Sequence, residues 1–320
     1  MKTIKKVNSM NKISFICATG LDNFIDDIIE GLSDDYMVRK FIVKTQQEIY
    51  NAIDWGDVIW LEWANEVAII ATNYEGIKGK KVIVRLHRYE AFTDFPKQIN
   101  WSVVDRLILV APHMKGILKE IIPNIEEKVK IKVIYNGLDL DKIPFKERGD
   151  GFDIAWVGYI NYKKNPPVAL QIMKKLTEGL YNTDKRYILH IAGSFQDRCL
   201  QDYLMYMVDE MELQDNIKFY GWVDDMKDFW SDKNYLLHTS IHEAHSYAIM
   251  EGLARGIKPI IANFRGAKEL YPKYAVFDTI EEAVNIITDK NYYSKAYMNW
   301  VKGRGWTLEK QVKQTREVIK

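Results

Sequence analysis

The sequence predicts an α/β protein built from two Rossmann-like domains whose parallel sheets face each other across a cleft. Three observations carry this expectation. The chain has 320 residues, more than the ~250–300 at which a single hydrophobic core stops growing. Short β-rich runs alternate with helical ones in both halves, the rhythm of doubly wound sheets. Strand-like runs such as "DVIWLEW" and "KPIIANF" are almost continuously apolar, as befits parallel strands covered on both faces.

Taken in order, "KISFICA" reads as a strand and "DNFIDDIIEGL" as a helix, then "MVRKFIV" as a strand and "TQQEIYNAI" as a helix. "DVIWLEW", "KVIVRLH" and "RLILVA" follow as strands, the last leading into the helix "HMKGILKEII", and "KIKVIYN" closes the first half. The second half opens with the strand "FDIAWVG" and the helix "PPVALQIMKKLTEGL". It continues with "YILHIAG", a helix from about Gln201 to Leu213, "IKFYG", a short acidic helix, "YLLHTS", a helix after Ser246, and "KPIIANF". The segment "NGLDLDKIPFKERGDG" carries turn residues and charges without periodicity, so the boundary is placed there. The expected domains are residues 1–147, 148–302 and a C-terminal helix, 303–320, packing back on the first domain.

Composition excludes several classes. Hydrophobic residues make up 47% and charged residues 28%, so the chain is an ordinary globular one. A net charge of +1 creates no global field that would demand nucleic acid. No apolar run approaches the ~18 residues of a membrane span, and the start lacks the apolar stretch of a secretory signal. Cys17 and Cys199 form no disulfide framework, which fits a cytoplasmic protein. The lysine-rich start, "MKTIKKVNSMNK", is either a frayed terminus or a weak peripheral contact with anionic lipid.

The stretch "SIHEAHSYAIMEG" concentrates acids and imidazoles where a strand runs into a helix. A zinc protease needs His-Glu-x-x-His with both imidazoles one turn apart on a helix. His242 and His245 are only three apart and precede the helix, and His238 ends a strand, so no metal site is expected. Asp139 and Asp141 match an Asp-x-Asp metal pattern but lie in the linker, where a solvated turn is the simpler reading. No Gly-x-Gly-x-x-Gly follows either first strand, which disfavours a nicotinamide dehydrogenase. An anion site at the N-terminus of the helix after Ser246 does fit, because the first-turn N–H groups are unpaired and the dipole is positive there. Glu251, one turn in, and Glu243, on the preceding loop, are placed to accept hydrogen bonds from hydroxyls or to sit on a solvated flank.

These residues resemble a known family. "EAHSYAIME" is similar to the Glu-x7-Glu motif of retaining glycosyltransferases with the GT-B fold, especially the large family-4 group. "GLARGIKPIIANFRGAKEL", "VIYNGLDLDKI", "VGYINYKKNP", "VRLHRYE" and "GWTLE" resemble further segments of that family, in order, over roughly residues 80 to 310. The resemblance implies a hexosyltransferase-type enzyme that moves a sugar from a nucleoside diphosphate donor with retention and without a metal or other cofactor. Glu251 would hold the ribose, Glu243 the hydroxyls of the donor sugar, Lys164 the diphosphate and His87 the donor sugar from the first domain. Backbone N–H groups around Ser246, Tyr247 and Ala248 would meet the phosphates. Two departures stand out: Tyr159 occupies the position of the family's arginine, with Arg265 as its candidate replacement, and the glycine-rich first loop is reduced to "ATGLDNF". The acceptor, whether glycan, lipid, protein or nucleic acid, is not indicated, and no stable protein partner is expected. The alternative is a non-catalytic nucleotide- or sugar-binding module on the same fold.

Overall fold

The computed structural model describes residues 11–178 and 186–320. Lys2, Lys5 and Lys6 of the basic start lie outside them. The chain divides into two compact units, Met1–Gly137 with Leu308–Lys320, and Leu138–Thr307.

The first unit is a six-stranded parallel sheet: β1 (Lys12–Ala18), β2 (Met37–Val43), β3 (Val58–Glu62), β4 (Lys81–Leu86), β5 (Arg106–Leu109) and β6 (Lys130–Val133). They lie in the order β2-β1-β3-β4-β5-β6. The central strands are buried along their length, with Phe15, Trp60, Ile83 and Ile108 in one core cluster. The helix Gln46–Trp55 starts where a capping box allows it, the Thr45 hydroxyl accepting from the Glu48 N–H while the Glu48 carboxylate accepts from the Thr45 N–H. The helix Asp26–Leu32 begins four residues later than the sequence pattern suggests. The last helix, Leu308–Ile319, adds Val312, Val318 and Ile319 to this core. Gly31 makes room for it: a Cβ there would lie 2.7 Å from Val312 Cγ2, and Arg316 Nη2 donates to Gly31 O at 2.6 Å.

The second unit repeats the design with β7 (Asp153–Val157), β8 (Ile188–Ala192), β9 (Ile217–Gly221), β10 (Tyr235–His238), β11 (Lys258–Ala262) and β12 (Val276–Phe277). Their order is β12-β11-β10-β7-β8-β9. The two-residue β12 and the helix Ile280–Thr288 were not anticipated, because "VF" is too short to register as a strand. The compact units change over at 137/138 and 307/308, whereas the sequence placed its boundaries at 147/148 and 302/303. The charged segment is tied down: the Arg148 guanidinium donates to the carbonyls of Trp230, Ser231, Lys233 and Arg255 at 2.7–3.2 Å.

Chain order reverses between β1 and β3 in the first sheet and between β7 and β10 in the second. Strand carboxyl ends at such reversals are where open α/β sheets bind ligands. No described helix is long and apolar enough to cross a membrane.

Candidate functional site

The reversal point of the second sheet gathers the residues singled out above. β7 ends at Val157 and leads through Gly158 and Tyr159 into the turn Tyr162–Lys164, whose N–H groups at Lys163 and Lys164 are capped by the Asn161 side chain. Gly158 has φ +142° and faces the Lys164 stem, so a Cβ there would approach Lys164 Cε to 3.1 Å. β10 ends at His238, and Thr239 fastens the two loops: its hydroxyl donates to Lys164 O at 2.7 Å and accepts from Trp156 Nε1 at 2.9 Å. Lys164 Nζ meets Glu243 Oε1 at 2.6 Å, with both side chains largely buried. The same oxygen accepts from Ser240 Oγ at 3.1 Å and lies 3.6 Å from His238 Nε2. Seventy-nine residues separate Lys164 from Glu243, and adjacency of β7 and β10 alone brings them together.

Glu243 precedes the helix Tyr247–Ala254. Ser246, its N-cap, makes no side-chain cap, and its N–H donates weakly to Tyr271 OH at 3.4 Å. Tyr247 and Ala248, the first residues of the helix, are half-buried, and its first turn contains no acidic residue. Glu251, one turn in, is 28% exposed and stands 3.6 Å from Arg255 Nη1. Burial raises its pKa, and Arg255 only partly offsets this. Tyr159 is exposed beside Trp222, ring centroids 5.5 Å apart. Arg265 is exposed on the loop between β11 and the helix Ala267–Leu270.

The histidines form no zincin site. His238 is buried, with Nε2 3.3 Å from both Ser240 Oγ and Ser246 Oγ, while the buried His245 packs edge-on against Trp306. Among the described residues no group of three or more His, Cys, Asp or Glu side chains could hold a metal ion. Asp139 caps the turn Leu140–Lys142 and pairs with Lys142 at 3.1 Å, the solvated turn expected of "DLD".

His87 lies in the first unit, just past β4, within a buried charged cluster that sequence reasoning missed. Glu62, at the end of β3, is fully buried. Its Oε2 accepts from Trp60 Nε1 at 2.7 Å, and its Oε1 accepts from Arg85 Nη1 at 3.0 Å and contacts His87 Nε2 at 2.6 Å. Arg85 is also buried and donates through Nη2 to Asn136 Oδ1 at 2.6 Å. The His87 ring stacks on Trp63 at 4.0 Å. Trp63 holds a left-handed backbone, φ 79°, and donates from Nε1 to Leu21 O at 2.6 Å. This closes the turn at the β1/β3 reversal. Burial works against the charged form of Glu62, but Arg85 and then His87 outweigh it and hold the carboxyl below its usual range. For His87, burial and then Arg85 lower the pKa, with Glu62 opposing them. The signal was available: an acid and a base inside two successive apolar strand runs must find each other if both are buried. Of the aromatic residues near these strand ends, Trp60 is core, whereas Phe92 is 54% exposed.

Comparison with known proteins bears on the site. Residues 139–277 match the sequence model of the family described as glycosyl transferases group 1. No curated protein sequence matches the chain. Solved structures share its fold throughout. Anabaena HepE, crystallised with UDP and glucose, superposes with a TM-score of 0.78 at 15% identity, over 97% of this chain and 99% of that one. A glycosyltransferase from Rickettsia africae gives 0.73 at 14% identity over 97% and 98%. The sucrose-phosphate synthase of Thermosynechococcus elongatus gives 0.76 at 12% identity over 96% and 98%. The group 1 match covers β7 to β12 and with them Lys164, Glu243 and Glu251; the two six-stranded parallel sheets have the GT-B fold of these structures, and match and fold together support a glycosyltransferase.

Proposed function

We propose that the protein transfers a sugar from a nucleoside diphosphate donor, UDP-linked in the first instance, to an acceptor hydroxyl with retention of anomeric configuration. The observation that carries this reading is the Lys164–Glu243 pair at the β7/β10 reversal, beside a helix N-terminus with Glu251 one turn in. HepE was crystallised with UDP-glucose as well as with UDP, which supports the donor class. In this reading the Glu251 carboxylate accepts from the ribose hydroxyls and Glu243 from hydroxyls of the donor sugar. The diphosphate meets Lys164 Nζ and the N–H groups at Ser246, Tyr247 and Ala248. Tyr159 flanks the diphosphate without adding charge, and Arg265 supplies the cation its position lacks. His87 is assigned to the donor sugar on the motif "VRLHRYE" alone.

The Lys164–Glu243 contact adds an electrostatic constraint. The pair is neutral as it stands, so a diphosphate gains from Lys164 only by sharing its ammonium with Glu243. Glu243 then orients both the sugar and the lysine. In the transfer, the bond from the anomeric carbon to the phosphate oxygen breaks and its electron pair leaves with the diphosphate. The acceptor oxygen bonds the same carbon from the same face, and its proton passes to the departing phosphate oxygen. Charge stabilisation in a site shielded from water is the main catalytic demand, and here lysine and helix end are assigned to it in place of a metal.

The test is to incubate the protein with UDP-sugars, with and without EDTA, and to follow UDP release and the anomer formed by NMR. Chelator-resistant release of UDP and a product of the donor's own anomeric configuration are expected. An inverted product overturns retention. Loss of turnover with EDTA, restored by manganese, overturns metal independence. Tight UDP binding with no hydrolysis or transfer from any donor would favour the non-catalytic module.

A further inference from the structure

The charged cluster under His87 has a chemical consequence of its own. Three groups are fixed there: the Glu62 carboxylate with three donors, the Arg85 guanidinium spanning Glu62 and Asn136, and the His87 ring packed against Trp63 and Phe24. The His87 N–H donates to Glu90 Oε1 at 3.2 Å, which holds the backbone as well. Glu62 and Arg85 already balance one another in a volume that excludes water. A proton added to His87 would leave one uncompensated positive charge, which is costly in that setting. The imidazole is therefore neutral and carries a single N–H. Its Nε2 lies 2.6 Å from an ionised carboxylate oxygen that can only accept, so the hydrogen sits on Nε2.

We propose that Glu62 is a positioning residue: it holds His87 as the Nε2–H tautomer and so makes Nδ1 a hydrogen-bond acceptor for a ligand hydroxyl. A hydroxyl of the donor sugar is the group such an acceptor selects, and this part rests on the assignment of His87 to that sugar. An ammonium-like cation at His87 would donate instead, and the opposite tautomer would turn an N–H towards the ligand. Glu62 thereby sets the polarity of the contact. Trp63 keeps the ring from turning over, since it is itself pinned at Leu21 O and stacked at 4.0 Å.

The whole protein, labelled with ¹⁵N-histidine, decides the tautomer by long-range ¹H–¹⁵N NMR without any substitution. The expected His87 pattern is a protonated-type shift at Nε2 and an unprotonated-type shift at Nδ1. A hydrogen on Nδ1, or a doubly protonated ring at neutral pH, overturns the proposal. In Glu62→Gln the amide has one carbonyl for two sets of donors, so the tautomer should become mixed; an unchanged pattern removes Glu62 from the role. His87→Asn places an amide near the former Nδ1 and His87→Gln near the former Nε2. The asparagine variant should retain donor kcat/KM about tenfold better than the glutamine variant, the scale of one hydrogen bond to a ligand. Equal losses overturn the Nδ1 assignment. If both variants instead match the wild type, the placement of His87 at the sugar is what fails, and the NMR result still decides what Glu62 does.

Discussion

Glu90 offers a test of the first unit that reads out in stability. It lies in the turn Tyr89–Phe92 and is fully buried. Its Oε1 accepts from the N–H groups of Ala64 at 3.1 Å and His87 at 3.2 Å, while Oε2 is buried without a hydrogen-bond partner among the described residues. Burial pushes its pKa from 4.5 up to about 7, against the opposing backbone hydrogen bonds. A carboxyl with a raised folded-state pKa binds its proton more tightly in the fold than in the unfolded chain. The contribution of Glu90 to stability is therefore greatest below about pH 4.5, falls as pH rises towards about 7, and levels off above that. At ~1.4 kcal/mol per pH unit of difference, the full penalty is about 3 kcal/mol, and most of it develops between pH 5 and pH 8.

Glu90→Gln preserves the acceptor for Ala64 and His87 and abolishes the titration. Any constant cost of burying the amide cancels in the comparison between pH values. Urea unfolding of both proteins at pH 5 and pH 8 should thus show the variant gaining roughly 2–3 kcal/mol on the wild type over that interval. Groups elsewhere titrate equally in both proteins and drop out. A difference that stays constant with pH would mean that Glu90 is ionised in the fold at pH 5, and the argument from burial would fail.

Lys164→Ala should lower the chemical step by two or more powers of ten, about 2.7 kcal/mol, since it removes the charge facing the diphosphate; single-turnover UDP release near the wild-type rate would remove Lys164 from the site. Glu251→Ala should weaken UDP binding by about 1.5–3 kcal/mol, the value of hydrogen bonds to a charged acceptor, and unchanged calorimetric affinity would detach Glu251 from the ribose. Arg148→Ala should destabilise the protein by about 2–4 kcal/mol, because it strips donors from four carbonyls around Trp230 and Arg255; thermal melting within experimental error of the wild type would show those carbonyls to be satisfied by water.

The fold was legible because both halves obey one simple physical rule. Strands covered on two faces must be apolar throughout, and "DVIWLEW", "KVIVRLH", "RLILVA" and "YLLHTS" all fall on strands of the structure, each shorter by one or two residues. The changeover between units is less legible. A run rich in charge and turn residues looks like a linker, yet Arg148 finds four backbone carbonyls and docks the run on the second unit. Side chain-to-carbonyl bonding of that kind has no periodicity in sequence.

The candidate site divides in the same way. Lys164, Glu243 and Glu251 were legible as types in a motif, but their arrangement was not. Lys164 and Glu243 had been given separate duties, one for phosphate and one for sugar, and the structure joins them at 2.6 Å. That contact follows from sheet order: Tyr235 and Leu236 of β10 register with Ile154 and Ala155 of β7, which puts the loops after both strands side by side. Glu62 and Arg85 make the complementary case. They face each other as Cα partners in the β3–β4 register, and each sits inside a run otherwise read as apolar filling. A buried carboxylate without a cation is too costly to keep. An acid inside one apolar parallel strand and a base inside the next therefore point to their own pairing, and with it to the strand adjacency. The same reasoning explains why His87 was assigned a role before its neighbours were: the motif marks His87 itself, while Glu62 comes from another strand and leaves only a charge in an apolar run.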